Sequence, residues 1–166
     1  MANADLTAER LRELLSYDPN TGIFIRKVRT AKITKIGDIA GSKNKAGYIQ
    51  ICLEGSRFFG HRLAWFYIHG EWPKNYIDHI NGDRSDNRIC NLRDVSPTVN
   101  AQNLQCAKPT SKTGLLGASY CKITRKFKAQ IRINGEQNYI GVYATAEEAH
   151  AAYVYFKRLH HQGCSI

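Results

Sequence analysis

Long apolar runs are missing from this 166-residue chain. None exceeds the six residues of Leu63–Ile68, far short of the roughly 20 residues that a membrane-spanning helix needs. No secretory leader is expected, because residues 1–16 place Asp, Glu and Arg where an apolar stretch should stand. Cys-x-x-Cys pairs are also absent, which argues against a zinc ribbon. The cysteines (Cys52, Cys90, Cys106, Cys121 and Cys164) are odd in number and scattered. No disulfide framework is therefore expected, and reduced intracellular thiols are the default. Acidic residues are scarce: 14 Asp and Glu stand against 24 Lys and Arg, a formal charge of +10. That excess implies a polyanionic partner, nucleic acid before a membrane surface. Wholesale disorder is excluded by the 43% apolar content and 17 aromatic residues.

The charge is unevenly spread. Residues 1–75 carry a net +5, residues 76–105 a net −1, and residues 106–166 a net +6. A slightly acidic centre between two basic arms suits a metal-using site held against a phosphate backbone. The arms supply counterion-release affinity and the centre supplies carboxylate.

Local patterns divide the chain. Thr7 is placed to cap a short helix with Leu11, Leu14 and Leu15 on one face. Asp18–Gly22 reads as a turn, Ile23–Val28 as a strand and Gly37–Gly41 as another short one. Ser42–Gly47 is a loop bearing Lys43 and Lys45. Tyr48–Leu53 alternates as a strand and leads through Glu54-Gly55-Ser56 into a second, Arg57–Gly60. His61–His69 has helical spacing and stops at Gly70. The centre reads strand (Tyr76–Ile80), polar loop (Asn81–Arg88), strand (Asn91–Val95) and helix (Pro97–Gln105), with Ser96 as cap. Residues 106–113 read as a linker. Strands over Leu116–Ile123, Phe127–Ile133 and Gln137–Tyr143 follow, with an Asn134-Gly135 hairpin turn. A Thr145/Glu148 capping box then opens an amphipathic helix through Ala149, Ala152, Tyr153, Phe156 and Leu159.

One constellation carries chemistry. Asp78 and His79 end a strand beside the polar loop, and Asn91 and Asn100 follow on the returning strand and helix. A carboxylate and an amide oxygen are hard ligands suited to Mg²⁺ or Mn²⁺ rather than Zn²⁺. An adjacent imidazole can take a proton from an attacking water.

The segment DHINGDRSDNRICNLRDVSPTVNAQN, residues 78–103, resembles the HNH endonuclease family, in the phage and intron-encoded homing type with a DH…N…N pattern. His61-Arg62-Leu63-Ala64-Trp65 resembles the stretch leading into that motif. The resemblance implies a ββα-metal (His-Me finger) fold, with His79 as general base and Asp78 as metal ligand. It implies Asn91 as the residue that pins the loop and orients the histidine, and Asn100 as second metal ligand where other members have His. Asn103 competes for that ligand role but reads better as a helix-surface amide. One Mg²⁺ (or Mn²⁺) per site would act on the scissile phosphate of double-stranded DNA, leaving 5′-phosphate and 3′-hydroxyl ends. Arg62, Arg84, Arg88 and Arg93 are placed to meet phosphate. For His61 with Arg62, a structural pair at a helix start is an equal reading. Asp83, Asp86 and Asn87 read as serving the loop's turns.

Residues 114–160 resemble an APETALA-type (ERF-like) DNA-binding domain. The carriers are Gly114–Ala118, Lys126–Ile131, Tyr139–Tyr143 and Thr145–Tyr153. The family lays a three-stranded sheet in the major groove. By period two, Phe127, Ala129, Ile131 and Ile133 face the helix, while Lys128, Gln130 and Arg132 face outward with Lys126. Lys122 joins them at the preceding turn. The first strand departs from the family, with Leu116, Gly117, Ala118 and Ser119 where arginines are common, which puts the plant-type site preference in doubt.

The expected architecture is α+β in three parts: an N-terminal sheet unit (1–60), a ββα-metal nuclease (61–105) and, beyond the linker, a sheet-plus-helix DNA-binding domain (114–166). The expected activity is metal-dependent endonucleolytic cutting at a recognised DNA site, by a monomer or homodimer, inside the bacterial host of a phage or mobile element. The rivals are a non-cleaving sequence-specific regulator and an RNase or unspecific nuclease.

Overall fold

The computed structural model describes residues 6–29 and 33–166. Residues 1–5 of the segment read for a leader, and residues 30–32 of the N-terminal unit, lie outside them. The chain forms two compact units, one ending at Ser96 and the other spanning Pro97–Ile166.

The first unit starts with α1 (Ala8–Leu14), capped by Thr7 Oγ1, which accepts from Arg10 N at 3.1 Å. The hairpin β1 (Leu15–Asp18) and β2 (Ile23–Arg26) follows, turning at Gly22. The sheet β3 (Ser42–Lys43), β4 (Ile49–Leu53) and β5 (Ser56–Phe59) leads directly into α2 (Gly60–His69), which ends at a left-handed Gly70. Next come β6 (Tyr76–His79) and β7 (Leu92–Val95), an antiparallel pair joined by the polar loop and a 3₁₀ turn at Ile89–Asn91. One core runs through the unit: Leu11, Leu15, Phe24, Ile51, Leu53, Leu63, Ala64, Phe66, Ile77 and Leu92 are all buried in it. The division expected at residue 60 therefore falls inside a single core. Leu63 and Phe66 of α2 need the apolar faces of α1 and β4 to leave water.

The second unit starts with α3 (Pro97–Gln102). It continues with the meander β8 (Ala118–Cys121), β9 (Lys126–Ile133) and β10 (Glu136–Tyr143), ordered β8-β9-β10, and ends with α4 (Ala146–His160). Asn134 and Gly135 both take positive φ, 52° and 87°, as the tight hairpin requires. Thr145 and Glu148 form the capping box. The residues read as a linker belong to this unit, where Thr113 Oγ1 donates to Ala118 O at 2.9 Å.

Two strand readings shrink for a backbone reason. Gly37–Gly41 yields only a bridge between Ile25 and Ile39, because Gly37 and Gly41 take φ of 90° and 102° and break the extended ladder. The strand read from Leu116 begins at Ala118, because Gly117 has φ 72° and lies under the Tyr153 ring, where any Cβ would clash. The helix read to Gln105 stops at Gln102, and Asn103, read as a surface amide, is buried at 6% exposure with Ser165 Oγ as a partner.

Candidate active site

Strand β6 carries Asp78 and His79 into the interior; they are 6% and 5% exposed. The strand register sets Asp78 opposite Arg93 and His79 opposite Leu92. Arg93 uses that alignment to donate from Nε (2.9 Å) and Nη2 (2.7 Å) to Asp78 Oδ2. Arg93, expected at DNA phosphate, thus neutralises the buried carboxylate next to it.

The loop after His79 is closed by Asn91. Its Oδ1 accepts from Asn81 N at 2.9 Å, and its Nδ2 donates to Asn81 Oδ1 (3.0 Å) and Asp86 O (2.9 Å). Ile80 N also donates to Asn91 O at 2.9 Å. Asp83 and Asp86 shape the turns between. Asp83 Oδ1 accepts from the Ser85 amide and hydroxyl. Asp86 accepts from the Arg88 guanidinium and from Asn81 Nδ2, and the Arg88 hydrogen bonds hold its pKa down to about 2.

A hydrogen-bond acceptor for the His79 ring is Asn87, one of the residues read as serving the turns. His79 Nε2 lies 3.2 Å from Asn87 Oδ1, and Asn87 is 2% exposed. Asn91 thus bonds within the loop, and Asn87 meets the ring that Asn91 was expected to orient. Burial holds the His79 pKa below the ordinary imidazole value, against the Asn87 hydrogen bond and the Asp78 charge, which favour the cation. The ring is neutral at pH 7 and able to accept a proton.

Two further aromatic side chains wall the histidine. His61, the second residue of α2, meets His79 edge to face with ring centroids 5.0 Å apart. Tyr48 lies 6.0 Å from His79 and 5.3 Å from His61. His61 is buried, and its Nδ1 has no hydrogen-bond partner among the described residues. Burial, and then the neighbouring His79, push its pKa down to about 3. Tyr48 also stacks under Arg84, whose guanidinium carbon is 5.0 Å from the ring centroid and whose Nη1 donates to Ala46 O at 3.1 Å. Lys43 Nζ reaches Ser85 Oγ at 3.2 Å. A cationic rim of Lys43 and Arg84 therefore borders the loop. Arg62 instead reaches Asn75 O (3.4 Å) and lies over Trp72, bracing the segment between α2 and β6. Polarity alone singled out neither Asn87 nor Tyr48, and no spacing in the sequence marks Tyr48.

Asn100 sits half-buried on α3, in the second unit. The remaining predicted contact residues lie on strand β9 of that unit and, for Lys122, in the turn before it: Lys122, Lys126 and Arg132 are exposed, Lys128 and Gln130 partly so. Lys128 pairs with Ser119 on β8 and Val142 on β10, and Arg132 pairs with Gln137.

Among the described residues, no three His, Cys, Asp or Glu side chains gather closely enough to cage a metal. The donors fit a small hard cation that keeps most of its own water and uses one carboxylate, here Asp78 shared with Arg93. They do not fit a closed zinc site.

An HNH endonuclease family model matches residues 58–102, which include Asp78, His79, Asn87, Asn91 and Asn100. The chain is 28% identical over 108 residues to "Protein 3.8" of Escherichia phage T7, an alignment covering 58% of this chain and 88% of that protein. No solved structure matches the chain. Among the described residues, no helix is long and apolar enough to cross a membrane.

His61 makes acid stability testable. The folded protein keeps it neutral down to about pH 3, whereas the unfolded chain protonates it near 6.5. Its contribution is therefore complete above pH 6.5 and is lost as pH falls below it, about 2 kcal/mol by pH 5. Urea denaturation at pH 7.5 and pH 5 should show His61→Phe losing less stability than the wild type by about that amount. An equal loss in both proteins contradicts the assignment. Residues 58–102 thus match the HNH endonuclease family model, and within them Asp78 and His79 lie side by side and buried.

Proposed function

We propose that the chain is a metal-dependent DNA endonuclease in which His79 is the general base. The observation that carries the reading is the buried, neutral His79, bonded at Nε2 and adjacent to the Asp78 carboxylate, inside the segment that matches the HNH family. His79 takes a proton from water, the water oxygen bonds to phosphorus, and the bond to the 3′ oxygen breaks. The products carry a 5′-phosphate and, after the leaving oxygen is protonated by solvent, a 3′-hydroxyl. Asp78 would hold a Mg²⁺ or Mn²⁺ ion that keeps most of its own water. Once bound, that ion supplies Lewis-acid neutralisation of phosphate charge. Lys43 and Arg84 offer phosphate contacts along the loop rim, and Asn91 keeps the loop closed around the base.

Site recognition is assigned to the outer face of β8-β9-β10. Lys126, Lys128, Gln130 and Arg132 fall on one face of β9 by period two, and Tyr139, 62% exposed, stands opposite Gln130 on β10. Cations, an amide and an aromatic ring on one sheet face suit phosphate and base-edge contact. This supports the APETALA-type reading of the second unit and a homing-type role in a phage or mobile element. The ion pair between Arg93 and Asp78 favours a second reading, a DNA-binding protein that does not cut, because it occupies the carboxylate a cation would use.

The test is conversion of supercoiled plasmid carrying candidate sites. Wild type with Mg²⁺ or Mn²⁺ should produce nicked or linear DNA, EDTA should stop it, and His79→Ala should cut at least ~10²-fold more slowly while still binding DNA. Cutting that survives EDTA, or an unaffected His79→Ala, overturns the proposal. Binding without cutting in the wild type selects the second reading. For the sheet face, the double variant Lys128→Ala/Arg132→Ala should flatten the salt dependence of DNA binding, by about 0.9 in the log–log slope for each phosphate that the variant leaves unneutralised. An unchanged slope removes this face from the interface.

A further inference from the structure

The positive charge of the first unit is gathered in one stretch. Residues 1–96 hold 15 Lys and Arg against 11 Asp and Glu, and five of the basic residues but none of the acidic ones fall within residues 26–35. Lys27, Arg29 and Lys35 of that stretch are exposed. Isoleucines stand among and just beyond them. Ile33, Ile36 and Ile39 are 89%, 71% and 67% exposed. Ile23 and Ile25 are exposed on the outer face of β2, where Ile25 pairs with Ile39. None of the five belongs to the core of the unit.

The backbone holds Ile36 at the tip of a closed turn. Asp38 N donates to Lys35 O at 3.3 Å, and Lys35 N donates to Asp38 Oδ2 at 2.7 Å. The turn is tied back to β2: Gly37 N donates to Arg26 O and Arg26 N to Asp38 O, both at 2.9 Å. A turn bonded in this way has little freedom left to lose on binding.

An aliphatic side chain on a fixed, cationic tip suits a partner that is both polyanionic and apolar inside. Duplex DNA is such a partner, with stacked base pairs between two rows of phosphate. Cations meet the phosphates, and an aliphatic side chain can enter between two base pairs from the minor groove, unstacking them and bending the helix. An anionic membrane offers both chemistries too, but segments that lie in its surface do so as amphipathic helices, whereas residues 33–41 form turns and a single bridge. A second copy would bring a like-charged stretch against this one.

We propose that the Lys35–Asp38 turn is a DNA-binding site of the first unit, at which Lys35 contacts phosphate and Ile36 wedges between base pairs through the minor groove. The proposal deepens the endonuclease reading and rests on it for DNA as the partner, though its test involves no cutting.

The test uses the full chain in EDTA and a short A·T-rich duplex with a central TA step, a step that unstacks easily, carrying a dye at each end. The wild type should bring the dyes together, seen as increased energy transfer. Ile36→Ala should return the transfer to that of free duplex and weaken binding about tenfold, the scale of burying one such side chain. Ile36→Leu should keep the bend. Lys35→Ala should flatten the salt dependence of binding by about 0.9 in the log–log slope. Both side chains are exposed, so the urea midpoints of these variants should match the wild type. A bound duplex that stays straight, or a bend that Ile36→Ala keeps, overturns the proposal. So does binding to phosphatidylserine vesicles that needs Ile36 when DNA binding does not. Bending that depends on Ile36, in a protein that cuts no DNA when Mg²⁺ is supplied, upholds this site and overturns the endonuclease reading. Failure to bind DNA at all overturns both.

Discussion

A single buried carbonyl, that of Asn87, ties the chemistry of this protein to its scaffold. Enclosed backbone oxygens need a donor, and leaving one without costs about 1–3 kcal/mol. Here the donor is the Tyr17 hydroxyl, supplied from the first hairpin, seventy residues earlier in the chain. Because that hydroxyl must reach the loop, the hairpin cannot be a separate module. The core follows the same logic, with α1, the hairpin, β4 and α2 closing over one set of apolar side chains that extends to Leu92 on β7. The N-terminal residues act as the wall against which a polar loop is pressed into shape.

The electrostatics of the centre follow from what the loop consumes. Residues 76–105 hold four carboxylates, Asp78, Asp83, Asp86 and Asp94. Asp83 and Asp86 are used up in turns, and Asp94 accepts from the backbone amides of Lys74 and Asn75. Asp78 is the one that remains beside the histidine, and it is balanced by Arg93. A site with one such carboxylate suits a cation that shares its shell with water and phosphate oxygens more than one caged by protein. The buried His61 adds bulk and low polarity beside His79 without adding charge at neutral pH.

Much of this was legible in the sequence. Helical spacing over Leu11 and Leu14, alternation over Ile49, Ile51 and Leu53, the Asn134-Gly135 turn and the Thr145 capping box are local signals, and each produces the element its pattern implies. The spacing of Asp78, His79 and Asn91 likewise marked the loop. What was not legible depends on distant parts of the chain. Asn87 looks like any other polar residue of an Asn- and Asp-rich loop until Tyr17, Gly22 and Gly60 enclose it. Arg93 looks like a phosphate contact until the β6–β7 register sets it across from Asp78. The division at residue 60 followed a change of pattern from strand to helix, but a core does not respect such changes. Gly37, Gly41 and Gly117 shortened strands because their left-handed backbone is invisible in a hydropathy pattern.

Held by Tyr17 and by its own hydrogen bonds, the β6–β7 loop should open only together with the buried core. Native-state amide hydrogen exchange measures this without DNA or metal. The hydrogen-bonded amides of Ile80, Asn81, Gly82 and Asn91 should exchange in the same slow class as those of α2, and slow together with it as stability is raised. Exchange of these four amides far faster than α2, through local opening while the core stays closed, would show that the loop is not part of the core's cooperative unit.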